Sequence, residues 1–558
     1  MATIRKTLET FIYPFLENFT DMVFRGGEDT EFQGVRVLDD DIKFTQGALV
    51  NAAATLYAHY VKTNDTRADD VLDRLHYFIA LAAGSVCKTW GKVAVLRGFN
   101  TLFEAGLFEK VKPEYIELVK ERTNYEDFFD KEKMDTRDMA TNYIQVAMFC
   151  AGMREKFGWE CDGYAERIRQ KLISVMQDKT VGGWMDDAIP YGRFDRYSLV
   201  LSSEFIDTAR LAGLEVPQFV KDNQRLAVEA MLFIANREGC GISYGRSVSI
   251  HGDGTVVEVL SSAFAEGLIK KSEQPLALAY SLRIIQKTIS FWYNGEKGCF
   301  DMWWGGRGHD EYRPIDRILE TNLDIANHLY MYLKNFELAG VADVEIDYDI
   351  PEYKEWKIYE LDFVKDNDKV RKAVFMRREN RLVMLPFVAF GSPYGVHSAY
   401  FPFPSVSGGV LEGAPTARYA FLVPEYTDRS GDKFLPVQHY SHVEVTKDGD
   451  TVRIQAEGYL AKREGIDSLK TDKRFSIDYR FSGADISVRF RTNEDMNYAE
   501  MITGDSGRGV SISSVGFESC EDVDTTGRDD YCATHGPILN AKLHRTKNTK
   551  LLGYNIKI

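Results

Sequence analysis

One change of hydrophobic period divides this chain, and it constrains the fold more than any other feature. Up to about residue 340, apolar residues recur at three- and four-residue steps. Leu49, Ala53, Leu56 and Tyr60 do so in QGALVNAAATLYAHYVKTN, and Val71, Leu75, Phe78 and Ala82 in VLDRLHYFIALAA. That spacing lines one face of a helix. SEQPLALAYSLRIIQKTISFW opens with Ser272 as a cap and carries Pro275 in its first turn, and ETNLDIANHLYMYLKNFELAG stops at Gly340. About a dozen such segments are present, with no fixed repeat length, which disfavours a regular solenoid. After about residue 345 the period becomes two. In ADISVRFRT, Ile486, Val488 and Phe490 share one face and Ser487, Arg489 and Arg491 the other. KAVFMRRENRLVMLPFV reads as a hairpin turning at Glu379-Asn380. The predicted organisation is an all-α domain over 1–340, an acidic linker over 341–356 and an all-β domain over 357–558. Helices before strands call for separate layers, not βαβ units.

The chain has 558 residues, too many for one ordinary core, and a formal charge of −15 from 69 basic and 84 acidic side chains. Such a surface repels nucleic acid and anionic lipid at long range, so neither is the expected partner. A few arginines in one pocket still suffice for an anionic small substrate, because distant charge is screened. No apolar run of about eighteen residues suggests a membrane span. MATIRKTLETFIYPFLENF carries Glu9 and Glu17 and no small-residue cleavage site, so a signal peptide is not read and a cytoplasmic location is expected. Seven sparse cysteines read as reduced thiols.

Three loops concentrate chemistry. WMDDAIPYGRFDRYSLVLSSEF brings together Trp184, Asp186, Asp187, Tyr191, Arg193, Asp195, Arg196 and Tyr197. GCGISYGRSVSIHGDGTVVEV offers Tyr244, Arg246, His251, Asp253 and Glu258, and GCFDMWWGGRGHDEYRP offers Asp301, Trp303, Trp304, Arg307, His309 and Arg313. Each precedes or opens a helical pattern. Aromatic faces, arginine forks and short polar side chains at such loop tips suit a carbohydrate cleft. Plainer readings stand beside this one. Phe194 and Tyr197 suit packing of a first helical turn, and Arg196 beside Asp195 suits a local ion pair. The glycines suit tight turns, and Trp303-Trp304 suits a hydrophobic plug.

No P-loop, HExxH or CxxC motif occurs, and no GxGxxG follows a strand. Cys520, Cys532 and His535 are poorly spaced for zinc, and His439 and His442 read as a surface strand pair. No metal and no organic cofactor is expected.

A long helical domain followed by an antiparallel β domain resembles the polysaccharide lyases of the heparinase II/III and alginate lyase group. The resemblance implies an incomplete (α/α) toroid followed by an antiparallel β-sandwich, with the active site in the cleft between them. MDDAIPYGRFDRYSLV looks like the loop around the group's catalytic tyrosine, and DMATNYIQVAMF like the helix supplying an Asn or His that neutralises a uronate carboxylate. Asn142 and Tyr197 lie 55 residues apart, similar to the matching pair in the group. In HSAYFPFPSVSGG, His397 sits where the group often brings a histidine to the cleft. Phe194 replaces the first tyrosine of the group's Tyr-x-x-Tyr run, leaving Tyr197 or Tyr191 as the base. YGRSVSIHGDG is also similar to a motif of toroid glycoside hydrolases that act on glucuronides.

On the lyase reading, Asn142, Arg193 and Arg246 bind and polarise the carboxylate, and Tyr197 takes the C5 proton. Guanidinium charge favours its phenolate, and His251 or His397 acts as a second base or orients the sugar. Trp184, Tyr244, Trp303, Trp304 and Arg307 line the substrate site. On the hydrolase reading, the acid and base come from Asp187, Asp195, Asp253, Glu258 and Asp301. A non-catalytic glycan-binding protein needs only the aromatics and arginines. The expected partner is an anionic oligosaccharide or polysaccharide, with a homodimer as the default assembly.

Overall fold

Twelve α-helices and then two antiparallel sheets make up most of the computed structural model. It describes residues 2–37, 44–84, 87–137, 139–186, 192–307, 314–366, 369–388, 400–407, 421–464, 467–505, 510–526, 532–533 and 535–557. The helices are α1 (Ile4–Gly26), α2 (Thr45–Thr63), α3 (Ala68–Gly84), α4 (Thr89–Glu104), α5 (Pro113–Arg122) and α6 (Tyr143–Lys156), followed by α7 (Tyr164–Lys179), α8 (Arg196–Ala212), α9 (Gln218–Phe233), α10 (Ile250–Ala265), α11 (Gln274–Lys287) and α12 (Ile318–Leu338).

The even-numbered helices form an inner ring in which each packs on the next and α12 returns onto α2. Odd-numbered helices lie outside, with α7 on α6, α9 on α8 and α10, and α11 on α10. Burial follows this division. In α6 every residue from Ile144 to Arg154 is buried, whereas α7 buries only Ala165, Ile168, Arg169, Leu172 and Met176. A helix surrounded by others has no solvent face to keep polar. Close approach between inner helices relies on small residues: a Cβ on Gly47 of α2 would lie 2.2 Å from the Gly91 carbonyl oxygen of α4.

Because inner and outer helices alternate, the inner helices point the same way, with their N-termini at one mouth of the ring. Short hairpins crown that mouth. Residues 31–36 precede α2, 129–136 precede α6, 180–185 precede α8 and 293–300 precede α12.

The β part is a four-stranded sheet facing a ten-stranded one. Lys369–Glu379 and Arg381–Phe387 pair antiparallel around the turn at Glu379-Asn380, and Asp485–Arg491 buries Ile486, Val488 and Phe490. Phe387 meets Tyr440 and Tyr479 between the sheets, at 5.4 and 5.8 Å between ring centroids. Phe363 and Phe375 of the smaller sheet pack on the N-terminal mouth, against Trp184, Phe194 and Tyr244. Arg237, ahead of α10, is tied to Asp349 at 2.5 Å and to Glu352.

Two local expectations change. Ser272 does not cap α11, which starts at Gln274 after Glu273 and has Pro275 in its first turn. The strand Tyr353–Asp366 begins inside the stretch expected as a linker, because Tyr353 is already in register with Glu379. Among the described residues no helix is long and apolar enough to cross a membrane. Cys87, Cys150, Cys161, Cys240, Cys299 and Cys520 are free thiols.

Candidate active site

The entry to α8 is built on a strained turn. Phe194 adopts φ +39°, uncommon for a side-chain-bearing residue, and its ring lies flat on Phe363 at 4.2 Å. The turn presents Asp195 as the cap of α8, its Oδ1 accepting the Tyr197 N–H at 3.0 Å. The same buried carboxylate accepts Arg246 Nε at 2.7 Å, Arg246 Nη2 at 3.2 Å and the Tyr400 hydroxyl. Burial pushes Asp195 up, but the Arg246 charge and these hydrogen bonds outweigh it and hold the group at about 2. Asp195 therefore joins α8, the loop before α10 and the β part.

That loop reaches Asp195 through Gly245, at φ +98°, where a Cβ would stand 2.3 Å from the Asp195 Cβ. Gly245→Ala is expected to destabilise the fold by about 2 kcal/mol or more, through both strain and overlap. A urea melt checks this, and an unchanged midpoint would refute the tight approach.

Tyr197 sits in the first turn of α8, half-buried, and donates its hydroxyl to Ser247 Oγ at 3.0 Å. The Arg196 guanidinium lies 4.2 Å from its ring centroid and that of Arg246 4.7 Å. Ser247 is itself at φ +49°. On the neighbouring inner helix, Asn142 occupies the N-cap position of α6, and its side-chain amide bonds to no described residue, with Oδ1 buried. Tyr143 beside it is raised by burial and then by Tyr197, so the two helix starts lie close enough to interact. His251 is buried in the first turn of α10. Asn142, Tyr197, Arg246 and His251 thus gather at the starts of α6, α8 and α10, at one mouth of the ring.

Other expected site residues have different places. Trp184 is fully buried and packs on Phe363 and Phe375, so it offers no face to a sugar. Tyr244 is equally buried, its hydroxyl donating to the Phe194 carbonyl at 2.9 Å. Arg307 donates to the Asp301 and Phe291 carbonyls and covers the Phe291 ring at 4.2 Å. Trp303 and Trp304 are half-buried and meet edge to face, with Lys297 Nζ 3.7 Å from the Trp304 ring centroid. Arg193 is half-buried, and its charge reaches Tyr400. Arg196 is buried and does not bond to Asp195 as expected, because Arg246 takes that carboxylate; it donates to Thr255 Oγ1 at 3.3 Å.

Among the described residues, the aspartates expected for hydrolysis, Asp195, Asp253 and Asp301, are occupied structurally. Asp253 accepts the Gly241 N–H and the Trp292 indole N–H and pairs with Lys287 at 2.9 Å. Asp301 accepts the Trp304 N–H and the Asn294 amide. Asp195 is committed as above. Glu258 lies on the buried side of α10, raised by burial and by Glu204 of α8, which burial itself pushes up to about 7. Tyr191, Asp187, His397, His309 and Arg313 lie outside the described residues.

Sequence reasoning missed Tyr400, Ser247 and Glu204. Tyr400 stands three positions after His397 in a segment already singled out, but nothing local points it at a carboxylate 205 residues earlier.

An inner and outer ring of helices, followed by a β-sandwich that closes on one mouth, is the architecture of toroid polysaccharide lyases. The particular likeness is to the Streptomyces coelicolor A3 chondroitin AC lyase, solved in complex with chondroitin sulphate. Its TM-score is 0.52 at 11% identity, covering 98% of this chain and 79% of that one. A Paenibacillus xanthan lyase matches with TM-score 0.48 at 10% identity over 99% of this chain and 57% of its own. A possible member of the GH105 family from Klebsiella pneumoniae subsp. pneumoniae MGH 78578 matches with TM-score 0.40 at 14% identity over 61% of this chain and 94% of its own. At these identities the likeness speaks for the fold, and only the first carries weight. It is to a chondroitin AC lyase, where the sequence had suggested heparinase II/III and alginate lyases. No family model and no curated protein matches the chain.

Proposed function

We propose that this chain is a carbohydrate-active enzyme that cleaves a uronic-acid-containing oligosaccharide or polysaccharide by β-elimination. The observation that carries this reading is Tyr197, a phenol at the N-terminal mouth hydrogen-bonded to Ser247 with two guanidinium groups against its ring. Among the described residues, Asp195, Asp253 and Asp301 are engaged in structural bonds, which favours a tyrosine over a pair of these aspartates as the base.

Elimination removes the C5 proton of the uronate, whose acidity is low while the carboxylate remains a full anion. Asn142, with its amide uncommitted, and Arg193 hold that carboxylate and stabilise charge as it delocalises. The Tyr197 phenolate takes the proton, the C5–H electrons form the C4–C5 double bond, and the C4–O bond breaks. Tyr197 then returns the proton to the leaving oxygen. Arg246, fixed by Asp195, supplies positive charge beside the phenolate instead of binding substrate directly. His251 orients the sugar. The chondroitin sulphate bound by the chondroitin AC lyase supports an anionic glycan as the substrate class.

A second reading rests on half-buried Glu204 and buried Glu258, carboxylates with raised proton affinity, as a general acid requires for glycoside hydrolysis. A panel of uronate-containing oligosaccharides separates the two. Elimination is expected, producing an ultraviolet-absorbing product with a double bond conjugated to the carboxylate. New reducing ends without that absorbance would replace elimination by hydrolysis at the glutamates.

A further inference from the structure

The inner ring has a second mouth, at the C-terminal ends of its helices, where a cavity of about 870 Å³ opens between α1, α2, α4, α8 and α12. That is within the roughly 300–1,000 Å³ typical of small-molecule sites. We infer that this cavity is a second ligand site, which takes a sugar acid of one or two rings through its carboxylate and is separate from the N-terminal mouth.

Charge is the first argument. Each acidic side chain of the wall has a basic partner, with Arg5 shared by Glu9, Glu337 and Asp343. Glu337 pairs with Lys334 at 2.8 Å and with Arg5, and Glu104 pairs with Lys156 at 3.2 Å. Glu9 pairs with Arg5 at 3.5 Å and Asp207 with Arg210 at 2.8 Å. The basic side chains are not equally spent. The Arg97 side chain, on α4, lies 5.6 Å from the Phe149 ring centroid but makes no hydrogen bond or ion pair with any described residue, and its buried Nε has no partner. Arg210 uses Nη2 on Asp207 and Asn335 but leaves a buried Nη1 without a partner. Lys62 stands exposed at the rim, likewise unpaired among the described residues. Glu204 and Glu258, whose proton affinity burial raises, lie near Arg97 but neither bonds to it. What the cavity lacks is an anion.

Shape and polarity narrow the class. A guanidinium fork matches a planar carboxylate in two parallel hydrogen bonds. Asn51 and Asn327, bonded to each other at 2.5 Å, line the cavity with amides suited to hydroxyl groups, while Asn335 is engaged by Arg210 and Asp207. Tyr13 stacked on His59 at 3.4 Å gives an aromatic wall, with Tyr330 also lining the cavity, for the apolar face of a sugar ring. The inference does not depend on how the N-terminal mouth is read.

Isothermal titration of the full chain with D-glucuronate, and with D-glucose as the neutral control, tests it. Saturable binding of glucuronate and none of glucose at the same concentration is expected. Arg97→Met and Lys62→Glu should each weaken a glucuronate site, the first by about tenfold or more, while Asn142→Ala, which removes a carboxylate-holding group at the other mouth, leaves that site intact. No saturable glucuronate binding would overturn the inference, as would binding unchanged in both cavity variants or lost in Asn142→Ala. If Arg97→Met does not fold by circular dichroism, Lys62→Glu on the exposed rim decides alone.

Discussion

Tyr197→Phe is expected to lose elimination activity by about a thousandfold, in line with the 10²–10⁴ that a positioned base contributes, while keeping its fold. The substitution removes one hydroxyl and its 3.0 Å bond to Ser247, worth about 1 kcal/mol. The ring stays between Arg196 and Arg246, so the local packing survives. The loss should fall on kcat more than on KM, because the hydroxyl acts in proton transfer and Asn142 and Arg193 hold the substrate carboxylate. Retention of a tenth or more of the wild-type rate would remove Tyr197 as the base and return the choice to Tyr191 or His251.

Asp195→Ala is expected to destabilise the protein by about 3–5 kcal/mol, the cost of leaving a buried charge without its partner. Arg246, its side chain 7% exposed, would lose the Asp195 carboxylate, Tyr400 one acceptor and α8 its cap. Asp195→Asn should cost less, because the amide oxygen still accepts one of these bonds. The pH dependence has a definite sign. The native carboxyl, at about 2, lies below the roughly 3.9 of an unfolded aspartate. Its contribution is therefore complete above about pH 4 and disappears as pH falls toward 2. Urea midpoints across that range should fall more steeply for wild type than for Asp195→Asn. Parallel curves would mean that Asp195 is not the linchpin described.

Much of the organisation was legible from residue spacing. The three-and-four step of Leu49, Ala53, Leu56 and Tyr60 is a helix wherever it packs, and the alternation of Ile486, Val488 and Phe490 is a strand with one buried face. The chemically dense loops were also legible, and they stand before α8, α10 and α12, three successive helices of the inner ring. Residues close in sequence must share a mouth when their helices alternate in and out.

The role of each side chain in those loops was not legible, because it depends on which distant segment arrives beside it. Trp184 and Tyr244 have the composition of a sugar platform, yet Phe363 and Phe375 cover them and turn them into core. Asp253 is a plausible acid until Gly241, Trp292 and Lys287 claim its oxygens. Arg246 becomes a fixed charge only because it and Tyr400, from two distant stretches of chain, converge on the Asp195 carboxylate of a third. The sequence by itself determined the elements and their order, since hydrophobic period acts over a few residues. Only the tertiary structure decided which polar groups are spent and which remain for chemistry, because burial and pairing are set by contacts across hundreds of residues.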